Sequence, residues 1–257
     1  MLRGAVVAVQ FLTRIPLSRR AIETHELSGA LAWFPLIGAL VGTGIAGVIA
    51  LSTRLLGFDA AIVAGLIFGA LLTGALHEDG LADACDGLGG GFTRGRALEI
   101  MRDSRIGSYG AVALVLLYAA RITLFRALGG PIPLLFAVPA AFALARASSV
   151  ALMAWLPNAR EEGLAGDVAR SLGGATVTIG IAAAAIISIL LCGRAAMVLV
   201  AVAVLVTLTS GFYLRHRLGG ITGDCLGAVN VIVEVAAVAA AVVWTRTVGP
   251  LELLRWP

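Results

Sequence analysis

Long uncharged stretches alternate with short charged ones along almost the whole chain. Leu27 to Thr53 and Ala60 to Leu76 carry no charge at all. Ile106 to Phe125 contains only Arg121, and Ala127 to Ala159 contains only Arg146. Ser171 to Gly193 and Ala195 to Leu214 are uncharged and separated by Arg194, and Cys225 to Thr245 contains only Glu234. A bilayer core takes about 20 apolar residues per helical crossing, so these stretches predict about seven transmembrane helices. They show no apolar–polar alternation of period two, which argues against an outer-membrane barrel. Backbone groups in lipid must bond within their own segment, and helices achieve that. The expected fold is an all-α polytopic membrane helical bundle, read as one integral membrane domain over residues 1–257.

The first residues differ. Gly4 to Leu12 is largely apolar but short, and Arg14 and Pro16 end it. It lacks a small-residue cleavage site, so an interfacial or re-entrant N-terminal helix is expected rather than a cleaved signal peptide. Composition supports the membrane reading: 60% of the 257 residues are hydrophobic and 13% charged, against about a quarter charged in soluble domains. Mean hydropathy is +0.99. The three cysteines and three histidines have no metal-finger or disulfide spacing.

Charge orients the chain. The side holding the N-terminus and the loops after the second, fourth and sixth spans carries Arg3, Arg14, Arg19, Arg20, Arg94, Arg96, Arg102, Arg105, Arg160, Arg170, Arg215 and Arg217. The other side carries Arg54, Arg126, Arg194, Arg246 and Arg255. Arginine-rich loops stay in the cytoplasm, so the first side is expected there, in a multi-pass cytoplasmic membrane protein. The net charge of +4 follows from this topology and implies no nucleic-acid partner. A homo-oligomer is compatible with the sequence.

Acidic residues gather on the same side. The second span runs into His77-Glu78-Asp79-Gly80-Leu81-Ala82-Asp83-Ala84-Cys85-Asp86-Gly87. If the helix continues through this stretch, Asp79, Asp83 and Asp86 share one face. Carboxylates so placed repel unless a cation sits among them, and Mg²⁺ shares its shell with substrate phosphates. Asp79, Asp83, Asp86 and, from the loop after the sixth span, Asp224 are the expected metal ligands. Glu78, Asp79, Asp83 and Asp86 are the candidate catalytic acids.

Phosphate-facing chemistry lies close by. The glycine run Gly87 to Gly91 lets backbone approach a ligand, and Arg94, Arg96, Arg102 and Arg105 match phosphate oxygens. Ser104 precedes the third span, whose N-terminus is an anion site unless Asp103 or Ser104 merely caps it. The second candidate loop, within residues 215–226, offers Thr222 and Asp224 at another helix start; the first spans residues 77–107. Asn230 and Glu234 share a face inside the seventh span. Arg146 and Glu234 lie near mid-bilayer and are expected to pair or to line one polar cavity.

Five strings carry a resemblance: Phe11-Leu12-Thr13-Arg14-Ile15-Pro16, Phe34-Pro35-Leu36-Ile37-Gly38, the acidic motif at 77–87, Asp103-Ser104-Arg105-Ile106-Gly107-Ser108-Tyr109-Gly110, and Thr222-Gly223-Asp224-Cys225-Leu226-Gly227-Ala228. In this order, over residues 5 to about 240, the chain resembles the cobalamin synthase family. The resemblance implies a Mg²⁺-dependent inner-membrane transferase of the last stage of vitamin B12 assembly. Such an enzyme joins adenosylcobinamide-GDP to α-ribazole or its 5′-phosphate and releases GMP. Arg14, Arg102, Arg105, Ser104, Thr222, Asn230, Arg146 and Glu234 are then expected around the substrates.

Two other readings compete. Asp79-Gly80-Leu81-Ala82-Asp83 begins like the motif of CDP-alcohol phosphatidyltransferases, but the later Gly-x-x-x-Asp-x-x-x-Asp spacing is absent. A cation-coupled secondary transporter would place its key charges near the midplane, where only Arg146 and Glu234 qualify.

Overall fold

The computed structural model describes residues 2–18, 20, 22–160 and 163–249; Arg19 and Arg255, counted in the arginine asymmetry, lie outside the described residues. Helix α1 (Leu2–Leu12) has 11 residues, about 16 Å of rise, and is too short to cross a bilayer. Helix α2 (Thr24–Ala30) opens on a capping box between Glu23 and Glu26 and leads through a short 3₁₀ turn into α3 (Phe34–Leu56). Then come α4 (Phe58–Thr73), α5 (Leu76–Gly90), α6 (Arg94–Ile100), α7 (Ser108–Ala127) and α8 (Pro131–Trp155). Helices α9 (Leu164–Arg170), α10 (Gly174–Cys192), α11 (Ala196–Leu218) and α12 (Gly223–Thr247) complete the order. No strand occurs among the described residues.

Five helical stretches are long and apolar enough to cross a membrane, and the bent pair α4–α5 makes a sixth. The longest, Gly174–Leu218, has 45 residues, about 67 Å of rise, or two bilayer thicknesses. It folds back at Gly193, whose φ of 49° and ψ of −125° leave the helical region. Cys192 at the end of α10 lies beside Phe136 early in α8. Gly180 near the start of α10 faces Val150 late in α8, while Gly211 near the end of α11 meets Trp155. Helices α10 and α11 therefore run antiparallel to each other along α8, each long enough to cross, which raises the candidate crossings to seven.

The helices pack through small residues, as membrane helices do. A Cβ on Gly42 would meet Pro139 Cα at 2.8 Å, and one on Gly65 would clash with Ile49. Helix α8 is the central element, buried along most of its length against α3, α10 and α12. Its internal Pro139 is accommodated at the Gly42 contact, where the neighbouring backbone comes close.

The expectation that the second span continues through the acidic motif is corrected. Gly74 and Ala75 both adopt left-handed conformations (φ 65° and 55°), and α5 departs from α4 at 87°. Ala75 is the one non-glycine residue with positive φ among the described residues, a conformation that costs about 1–2 kcal/mol. Helix α5 then runs antiparallel to α7, with Glu78 beside Arg121 and Asp86 beside Gly107 and Gly110. It thus climbs from the bundle interior to the face where α6 and the start of α7 lie.

Candidate active site

The glycine-rich motif residues form helix, not loop. Gly87 to Gly90 end α5, and a Cβ on Gly87 or Gly91 would strike Met101 or Ala97 on the α6 side. These glycines let α6 pack closely. Gly80 and Gly227 do the same for α5 and α12: a Cβ on Gly80 would stand 3.0 Å from Asp224 O and 3.2 Å from Gly227 Cα. That near-contact of backbones brings the acids of two distant motifs to one place.

Around the crossing lies a cavity of about 240 Å³. Asp79, Gly80, Gly223 and Asp224 lie on its wall, together with Arg146, Ser149 and Asn230 from the interior of α8 and α12. Phe11, Leu31 and Phe34 close one side, and Leu164, Ala165 and Val168 of α9 another. Asp79 is exposed and Asp83 half-buried. Asp83 stands one helical turn after Asp79 on α5. Asp224 is bridged by Arg160 at 2.8 Å. Thr222 is buried and caps α12, its Oγ1 accepting from Cys225 N–H at 3.2 Å.

Asp86 is turned elsewhere. Its two oxygens accept from Gly107 N–H at 2.7 Å and Gly110 N–H at 2.9 Å. It is the anion on the α7 N-terminus, a position where a carboxylate gains from both the free N–H groups and the helix dipole. The expectation that Asp103 or Ser104 caps this helix, or that the terminus is open to a substrate anion, is corrected. Asp103 instead holds Arg105 at 2.6 Å, which keeps the Asp103 carboxyl down at about 2; Ser104 and Arg105 are exposed. No group of three His, Cys, Asp or Glu side chains stands at metal-holding separation among the described residues.

Deeper in, the pairing of Arg146 with Glu234 is corrected, while their shared polar cavity is present. Glu234 pairs with Arg121 at 2.8 Å, and the same guanidinium holds Glu78 at 2.6 Å. Glu78 is thereby buried in an ion triad behind the main cavity. Arg146 donates to Asn230 Oδ1, and Asn230 Nδ2 donates to Ala145 O at 2.9 Å and Ser149 Oγ at 2.8 Å. At the face, Arg94, Arg102 and Arg160 line a second, open cleft, while Arg14 lies over the Gly74 turn.

Residues 4–242 match the family model described as cobalamin-5-phosphate synthase. The chain belongs to that family. A relative from Mesorhizobium japonicum named adenosylcobinamide-GDP ribazoletransferase is 38% identical over 249 residues, covering 94% of this chain and 93% of its own length. Proteins of the same name from Bradyrhizobium diazoefficiens (38%, 91% of each chain) and Escherichia coli (39%, 86% of this chain and 91% of its own) are similarly related. No solved structure matches.

For this cobalamin-5-phosphate synthase family member, sequence reasoning passed over Arg121 and Arg160. The first could have been found by the rule that singled out Arg146 and Glu234, since a charge within an apolar span needs a partner. The second gives no such signal, because an arginine at a helix end is ordinary until Asp224 is folded against it.

Proposed function

We propose that the chain is an adenosylcobinamide-GDP ribazoletransferase of the cytoplasmic membrane, with its site on the cytoplasmic face. The observation that carries this reading is the convergence of Asp79 and Asp224 on the wall of one cavity, through the Gly80–Gly227 crossing, with Asp83 one helical turn after Asp79. The arginine asymmetry supports the cytoplasmic placement. The donor is adenosylcobinamide-GDP and the acceptor α-ribazole or its 5′-phosphate.

No three carboxylates stand at metal-holding separation among the described residues, but Mg²⁺ is usually held by one or two carboxylates plus substrate phosphates rather than by an all-protein cage. Asp79 and Asp224, on the wall of one cavity, would hold it together with the pyrophosphate; Asp86, committed to α7, would not. When bound, the ion supplies charge neutralisation on the pyrophosphate. Arg94, Arg102 and Arg160 line a basic cleft suited to the GDP phosphates, where guanidinium forks match phosphate oxygens. A hydroxyl of the acceptor attacks the phosphorus that bears the corrinoid, and the bond from that phosphorus to the GMP oxygen breaks. Asp79 or Asp83 takes the hydroxyl proton, and GMP leaves with the electron pair. Glu78 is excluded from that role by its salt bridge to Arg121.

The test is transfer by purified protein given adenosylcobinamide-GDP, Mg²⁺ and either ribazole form, following GMP and corrinoid product together. Product that requires Mg²⁺ and falls at least 100-fold in Asp79→Asn supports the reading. Folded protein that yields no product with either acceptor overturns it.

A further inference from the structure

We infer that the cavity between α1, α5, α8, α9 and α12 is the binding site for the acceptor nucleoside's base, with Arg146 as the donor that reads a neutral ring nitrogen or carbonyl. This rests on the transferase reading above and adds which substrate enters the membrane-embedded cavity and which residues select it. Size gives the first argument. At about 240 Å³ the cavity lies below the roughly 300–1,000 Å³ of pockets for drug-sized ligands. It suits one bicyclic base with its sugar and cannot take a corrin macrocycle.

The walls give the second. Phe11 and Phe34 stack with centroids 5.6 Å apart on one side, and Leu31 and Met153 add apolar surface. Such a lining favours a flat, apolar heterocycle over a phosphate or a sugar alone.

The floor gives the third. Arg146 lines the cavity, is 2% exposed and donates only to Asn230 Oδ1 among the described residues, which leaves most of a guanidinium's five N–H donors unused, a shortfall that native interiors rarely tolerate. An anion is not the natural partner. The guanidinium charges of Arg121 and Arg146 are already matched by the carboxylates of Glu78 and Glu234, all four lining one adjoining space. At about 1.5 Å per residue, Asn230 and Arg146 lie roughly 10–15 Å below the ends of their helices, where one further uncompensated charge is expensive. A neutral acceptor atom satisfies the spare donor without upsetting that balance. The base would then point into the bundle while the sugar stays level with Asp79 and Asp224, where the reacting hydroxyl is needed.

Direct binding of α-ribazole to the detergent-solubilised full chain, by calorimetry without donor, tests this apart from turnover. Wild type is compared with Met153→Ala and Arg146→Gln, and kinetics follow KM for each substrate separately. The expected result is about ten-fold weaker α-ribazole binding in Met153→Ala, with acceptor KM raised equally and donor KM within two-fold; one lost apolar contact in a pocket is worth about that much. Arg146→Gln is expected to lose more. Should Arg146→Gln fail to fold, Met153→Ala carries the test alone. Unchanged α-ribazole affinity in Met153→Ala, or a raised donor KM with an unchanged acceptor KM, overturns the inference. Wild-type protein that binds α-ribazole in this cavity but transfers nothing sinks the transferase reading and leaves the site assignment standing.

Discussion

Arg121 offers the sharpest test of how the site is held together. Its Nη1 lies 2.6 Å from Glu78 Oε1 on α5, and its Nη2 and Nε lie 2.8 and 2.9 Å from Glu234 Oε1 on α12. All three residues are buried, at 6%, 8% and 2% exposure. One guanidinium on α7 thus ties together the two helices that carry Asp79 and Asp224. Arg121→Gln would leave two buried carboxylates without their cation. Removing one member of a buried ion pair costs about 3–5 kcal/mol, a large part of a typical 5–15 kcal/mol stability. Glu234→Gln alone should cost less, about 1–3 kcal/mol, because Arg121 keeps Glu78 and the amide still accepts a hydrogen bond. The double variant Arg121→Gln/Glu234→Gln should recover part of the loss, with a coupling of about 0.5–3 kcal/mol. The assay is denaturant unfolding in mixed micelles on all three variants and wild type. Wild-type stability in Arg121→Gln, or strict additivity in the double variant, would refute the clamp.

Two further outcomes are expected. Asp86→Asn keeps one acceptor for the α7 N-terminus but loses a charge-assisted bond. A stability loss of about 1–2 kcal/mol is expected, with transfer reduced far less than in Asp79→Asn; equal losses would return Asp86 to the reacting centre. Gly80→Val should separate α5 from α12, since even a Cβ there stands 3.0 Å from the Asp224 carbonyl. Transfer should drop at least 100-fold, because a displacement of about 1 Å suffices for that, and normal turnover would show that the crossing does not set the site.

The hydrophobic pattern by itself determined the membrane class, the helical fold and the seven crossings, because a bilayer demands internally bonded segments of fixed length and a chain cannot hide them. It also marked Asp79, Asp83 and Asp224 as candidates, since carboxylates clustered near apolar spans stand out against so uncharged a chain. The roles within the motif belonged to the tertiary structure. Asp86 looks like Asp83 in sequence, yet the N-terminus of α7 arrives beside it and takes both its oxygens. Arg146 and Glu234 each needed a partner, but only the packing of α7 against α5 and α12 decided that Glu234 takes Arg121, and the packing of α8 on α12 that Arg146 takes Asn230. The motif glycines look alike on paper, and it is the approach of neighbouring helices that makes Gly80 and Gly227 a crossing and Gly74 a bend. Local composition fixes what a segment must bury; which side chain satisfies which buried charge depends on contacts between residues 40 to more than 100 positions apart, and those exist only once the helices have packed.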